Sequence, residues 1–173
     1  MGTNIEFYQS IGMIELDVEQ SDIDNQWYLK DLCPKKSEED KLNEAKEKKY
    51  QEANTKANDF LQSGEALFLF VQDGINYHIE ATDGNIAKIG LKATALLIAQ
   101  DFETTFPWNT KEDINIEINA LEGKTIGEGL GAIQDYVWTV QFPEYVKAIE
   151  NASTVEEVEG IEIKYESEVE NVD

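Results

Sequence analysis

The chain has 173 residues, 36 acidic and 14 basic, giving a formal charge of −22, and every basic residue is lysine. The length suits one domain, and 41% hydrophobic content is too high for a wholly disordered acidic chain. The charge argues against nucleic-acid binding, which needs a basic footprint, and the absence of arginine removes the planar two-pronged clamp for carboxylate or phosphate.

Ile5, Phe7, Ile14, Leu16 and Val18 alternate with polar residues, which is strand periodicity. Gly12 and Asp24-Asn25 mark turns, and Trp27-Tyr28-Leu29 reads as a third short strand. Such a sheet is too small to stand alone and needs a neighbour. After Pro34, Ser37 followed by Asp40 opens a helix predicted to run to about Leu61, rich in Lys, Glu, Ala, Gln and Asn. Its apolar stripe, Leu42, Ala45, Tyr50, Ala53, Ala57, Phe60 and Leu61, is narrow. It suits a charged connector packed on one side, with a helix seam between subunits as the alternative.

Ser63-Gly64 ends that helix, and Asp73-Gly74 joins Ala66–Val71 to Ile75–Glu80 as a hairpin. Thr82-Asp83 caps a helix whose inward face holds Ile86, Ile89, Ala93, Leu96 and Leu97, with Phe106-Pro107-Trp108 as its expected end. Ile114, Ile116 and Ile118 alternate as a half-buried strand. Asn119 with Glu122 caps the next helix, which carries Ile126, Leu130, Ile133, Val137 and Val140 and whose first half holds Gly123, Gly127, Gly129 and Gly131, glycines that loosen it or let another helix approach closely. Pro143 kinks or splits it, Thr154 with Glu157 caps a last short helix, and Ile161 and Ile163 suggest a final strand. The expected fold is α+β. A β-rich docking piece spans residues 1–33, a charged connector helix 34–63, a hairpin-plus-helices domain 64–163 and an acidic tail 164–173.

Candidate chemical motifs fail on spacing. Gly123-Lys124-Thr125 resembles the end of a phosphate loop, but Ile118 stands where that loop needs its first glycine. Asp22-x-Asp24-x-Gln26 begins like a calcium loop, yet Trp27 replaces the required glycine and Cys33 the terminal glutamate. With one histidine, His78, and one cysteine, Cys33, a single-chain structural zinc site is excluded, and no serine lies on a nucleophile elbow. The sequence therefore assigns no catalytic residue, no cofactor and no metal. A lone cysteine, together with an N-terminus lacking the parts of a signal peptide, favours an intracellular or virion setting. The most apolar runs, Ala66–Val71 and Ala93–Ala99, fall far short of the roughly 20 residues of a membrane span. Among the aromatic residues, Trp27 and Tyr28, with Leu29, are the preferred partner-binding candidates, because the N-terminal piece has little core of its own.

Three segments carry a family resemblance: Tyr77 to Ile89; Trp108-Asn109-Thr110-Lys111-Glu112-Asp113 with Ile116 and Ile118; and Val146-Lys147-Ala148-Ile149-Glu150-Asn151-Ala152-Ser153-Thr154-Val155-Glu156-Glu157-Val158. Over about residues 42–162 the chain resembles a C-terminal domain of unknown function found in bacteriophage tail-associated proteins, often described as tail-fibre or tail-fibre-assembly proteins. The glycine-rich stretch 123–131 departs from that pattern, where the usual members are more alanine-rich, and the first 30 residues lie outside it. The family has no catalytic residues to carry over. The resemblance implies a non-enzymatic structural part or assembly chaperone that binds a tail fibre, tail spike or baseplate protein. Its expected location is the virion tail, or the host cytoplasm during assembly. Repeated subunits in a tail make a homo-oligomer an expectation too. The alternative is an acidic mimic of nucleic acid that inhibits a host defence protein. A tail depolymerase is a further rival, for which the chain is small and no constellation speaks.

Overall fold

The structure, a computed structural model, describes residues 18–167. The strand expected around Ile5, Phe7, Ile14 and Leu16 lies outside those residues. The chain is α+β and divides into two compact units, Met1–Glu44 and Ala45–Asp173.

In the first unit, β1 (Val18–Gln20) pairs antiparallel with β2 (Trp27–Leu29), Val18 opposite Leu29 and Gln20 opposite Trp27. The connecting turn is closed by polar bonds. Ser21 N–H donates to the Gln26 carbonyl at 2.8 Å, and Asn25 takes a left-handed φ of 59°, which its short polar side chain tolerates. Past a 3-10 turn at Lys30–Leu32, the Ser21 hydroxyl donates to the Pro34 carbonyl at 2.8 Å. The Lys36 N–H donates to Asp22 at 2.9 Å. Among the described residues of this unit Ser21 alone is buried, and directed hydrogen bonds close its turn. Helix α1 (Glu38–Gln62), which belongs to the second unit from Ala45 on, starts where the Ser37 hydroxyl accepts the Asp40 N–H at 3.0 Å, as the sequence signal predicts.

In the second unit, β3 (Leu67–Gln72) and β4 (Ile75–Glu80) form a two-residue hairpin, with Asp73 and Gly74 both at positive φ. Phe70 and Ile79 point inward. Helix α2 (Asp83–Ile98) is capped by Thr82 and packs against α3 (Ala120–Tyr136), which opens with the full Asn119–Glu122 capping box. Gly123 is what lets these helices close. A Cβ there would stand 2.9 Å from the Ala93 Cβ and 3.2 Å from the Phe106 ring. The glycine-rich stretch is continuous helix, in which Gly123 makes room for Ala93 and Phe106 and Gly129 for the Phe68 ring, while Gly127 and Gly131 face open space.

Two further expectations are corrected. Helix α2 stops at Ile98, well before Phe106, because Gln100 adopts a left-handed φ of 53°. Gln100 and Asp101 N–H groups then bond back to the Leu97 and Leu96 carbonyls at 3.1 and 3.0 Å. Phe106-Pro107-Trp108 is instead strand β5 (Phe106–Asn109), paired antiparallel with β6 (Asn115–Ile118). Proline is tolerable in a two-stranded ribbon, where every strand has an edge. The second correction concerns Ile161 and Ile163. They are extended but pair with no strand among the described residues, and the segment from Gly160 to Ser167 lies along α1 as a strap.

The apolar spacing of α3 explains its far end. Ile126, Leu130, Ile133 and Val137 follow steps of four, three and four and are buried, whereas the expected Val140 is exposed and Phe142, five on from Val137, packs against the core with Trp138. A π turn at Val137–Gln141 absorbs the extra residue, with the Phe142 N–H bonded to the Val137 carbonyl. Helix α4 (Phe142–Asn151) continues directly from the π turn, with Pro143 in its first turn. Thr154 caps the short α5 (Val155–Glu159). Ile89, Ile118, Ile126, Leu130 and Val137 are fully buried, each stabilising the fold by about 1.5–3 kcal/mol.

Candidate functional site

Trp27 and Leu29 lie on the same side of β2, since side chains alternate along a strand. They are 61% and 44% exposed. Ile23 in the turn and Leu32 in the 3-10 turn are exposed as well. Four large apolar side chains are therefore open within ten residues. Tyr28 faces the other way, half-buried, and its hydroxyl donates to Asp24 at 2.7 Å. The Gln26 N–H, then that hydroxyl, hold the Asp24 carboxyl below its usual range. With Asp22 accepting the Lys36 N–H and Asp24 engaged by Gln26 and Tyr28, the calcium-like spacing is used as a turn.

The residues with potential for catalysis serve the frame. His78 Nδ1 sits 2.5 Å from Glu112 Oε1, and the same carboxylate accepts the His78 N–H at 3.2 Å. His78 thereby pulls the Glu112 carboxyl down to about 2. The Lys111 N–H donates to the His78 carbonyl, and Lys111 pairs with Glu80, both at 2.8 Å. These bonds fasten β4 to the turn between β5 and β6. Burial raises the Cys33 thiol, and nearby Glu19 adds to that, which disfavours the reactive thiolate. Lys124, in the sequence resembling a phosphate loop, pairs with Glu128 along α3 at 2.7 Å. Among the described residues, no group of three His, Cys, Asp or Glu side chains could hold a metal ion. Nor, among them, is any helix long and apolar enough to cross a membrane.

Sequence reasoning missed the clamp on the strap. Ile163 and Tyr165 are buried and Ile161 is partly buried, while Glu162, Lys164 and Glu166 point outward. Because an extended chain turns successive backbone groups to opposite edges, the two edges can be held separately. Along one edge, Lys49 reaches the Ile161 carbonyl at 3.3 Å and Lys56 the Ile163 carbonyl at 3.4 Å, both from α1. Along the other, the Tyr145 hydroxyl donates to the Lys164 carbonyl at 2.5 Å and accepts its N–H at 3.0 Å. Gln141 donates to the Glu166 carbonyl at 2.7 Å and accepts its N–H at 3.0 Å. The π turn sets the phase that lets Gln141 do this. Tyr165 stacks on Phe60 and meets Tyr145 edge-on, with ring centroids 6.3 and 5.3 Å apart, and its hydroxyl donates to the Ala53 carbonyl. The small residues of α1, Ala53 and Ala57, are what allow the strap so close. A cleft of about 310 Å³ beside it is lined by Lys56, Asp59, Phe60 and Tyr165 among others.

Comparison with known proteins matches no family model, no curated protein and no solved structure. The reading of function therefore rests on the chain's own surfaces and on the sequence motifs quoted above.

Proposed function

We propose that this chain is a non-enzymatic bacteriophage tail protein, a structural component or assembly chaperone that docks on a tail fibre, tail spike or baseplate protein. The observation that carries the docking role is the exposure of Ile23, Trp27, Leu29 and Leu32 on a hairpin whose own stability comes from polar turn bonds. Apolar side chains presented this way are not spent on a core. An aromatic anchor flanked by aliphatic residues is the usual centre of a protein interface. The tail setting is supported by the motifs around Trp108 and from Val146 to Val158. The charge of −22 keeps free copies soluble before assembly.

The test is quantitative mass spectrometry of purified virions, paired with binding of the full chain to isolated fibre, spike and baseplate proteins. Fixed copy number in the particle supports the structural part. Absence from the particle with a stable complex to unassembled fibre supports the chaperone. Binding to a host nucleic-acid enzyme, with none to tail proteins, would replace the proposal by the mimic.

A further inference from the structure

Helix α2 buries Ile89 and Ala93 on its inner side, yet its outer side is also apolar. Leu91 is 75% and Ile98 79% exposed, with exposed Ala87, Thr94 and Ala95 between and beside them. Steps of four, three and four from Ala87 through Leu91, Thr94 and Ile98 keep these residues on one stripe. A helix with apolar stripes on opposite sides is normally covered on both. The charge pattern says by what. From Gly84 to Gln100 there is no acidic residue, the longest such stretch in a chain with 36 acids, and Lys88 and Lys92 lie within it. Lys92 is turned to the flank, its ammonium 5.1 Å from the Phe106 ring centre.

We propose that the outer face of α2 is the seam at which a second copy of this chain docks, antiparallel about a twofold axis passing between Thr94 and Ala95. Two molecules of charge −22 repel, so they meet with least cost where neither brings an acid. The stripe is self-complementary, as a twofold interface requires. Leu91 of one copy lies against Ile98 of the other, while Thr94 and Ala95 at the axis are small enough for close helix approach. A single helix face is smaller than the roughly 800 Å² per partner of a standard interface, so the dimer is weak and concentration-dependent. This goes beyond the tail-docking reading and stands apart from it, since the hairpin residues take no part in the seam.

Sedimentation velocity from micromolar to submillimolar concentration tests it, at low and high salt. The expected result is a monomer–dimer equilibrium that tightens with salt, as screening weakens the mutual repulsion. Leu91→Glu should weaken it more than about tenfold, with unchanged circular dichroism because the side chain is exposed. In a Cys33→Ser background, Thr94→Cys should form a disulfide-linked dimer on oxidation, and Ala87→Cys, off the axis, should not. A monomer at every concentration, a dimer indifferent to Leu91→Glu, or equal cross-linking at both positions would overturn the proposal.

Discussion

Tyr165 is the residue through which the strap can be tested. Replacing it with alanine removes a ring packed between Phe60 and Tyr145. Loss of a buried aromatic side chain costs roughly 3–5 kcal/mol. Here the neighbouring cleft of about 310 Å³ admits water, which places the cost near the lower end. Tyr165→Phe keeps the ring and loses only the hydrogen bond to the Ala53 carbonyl at 3.0 Å. That carbonyl keeps its helical donor, so the cost is about 1 kcal/mol or less. A pH arm separates the hydroxyl from the ring. Burial pushes the Tyr165 hydroxyl up from 10.0 to about 12. The protonated form is the one favoured by folding, so this contribution is complete below pH 10 and is lost as pH rises through 12. It amounts to at most about 3 kcal/mol. Urea unfolding followed by circular dichroism should show the wild type converging on Tyr165→Phe, and then falling below it, across that window. A Tyr165→Ala variant as stable as the wild type, or an unchanged gap between wild type and Tyr165→Phe at high pH, would refute the clamp.

Other consequences are equally concrete. Gly129→Ala should destabilise by about 1–3 kcal/mol, because its Cβ would run into the Phe68 ring. Gly127→Ala and Gly131→Ala, with nothing within 4 Å, should each raise stability by about 0.5–1 kcal/mol in the same urea assay. Glu112 is ionised in the fold down to about 2 against an ordinary value of 4.5. Its contribution is present above pH 4.5 and vanishes as pH falls through 2, and Glu112→Gln should flatten that part of the acid unfolding curve. Asn119→Ala removes the acceptor for the Leu121 and Glu122 N–H groups, leaves the bond from the residue 119 N–H to Glu122, and should lower the thermal midpoint at a cost of about 1 kcal/mol.

Local signals in the sequence located the elements whose cause is local. The caps at Ser37, Thr82, Asn119 and Thr154, the Asp73-Gly74 turn and the alternating Ile116 and Ile118 all act over a few residues, and all stand where expected. Failures came where the deciding partner is distant. Nothing adjacent to Gln100 announces a left-handed cap, since glycine is the usual residue there. The glycines of α3 read as close helix approach or flexibility, and only distant partners, Ala93 and Phe106 at Gly123 and Phe68 at Gly129, mark the two that serve close approach. Likewise, the step of two from Ile161 to Ile163 to Tyr165 does signal an extended segment, but not that side chains would hold its backbone instead of another strand. Of the narrow stripe on α1, read as a connector face or a seam between subunits, Ala53 and Phe60 meet the strap through Tyr165, while Tyr50 is exposed beside Phe142. Trp27, Tyr28 and Leu29 read as partner-binding candidates because the hairpin lacks a core, and of the three only Trp27 and Leu29 are exposed. Tyr28 belongs to the turn's own hydrogen bonding instead.

Whether the molecule works by presenting apolar surface to another polypeptide is measured most directly by titrating the full chain against purified fibre, spike and baseplate proteins, as wild type and as the Trp27→Ala, Leu29→Ala double variant. The account predicts saturable binding to one of them. It also predicts a loss of more than about tenfold in the variant, with thermal unfolding unchanged because neither side chain supports the core. Binding that ignores both substitutions, or no tail protein bound while the chain turns over a surface glycan, would contradict it.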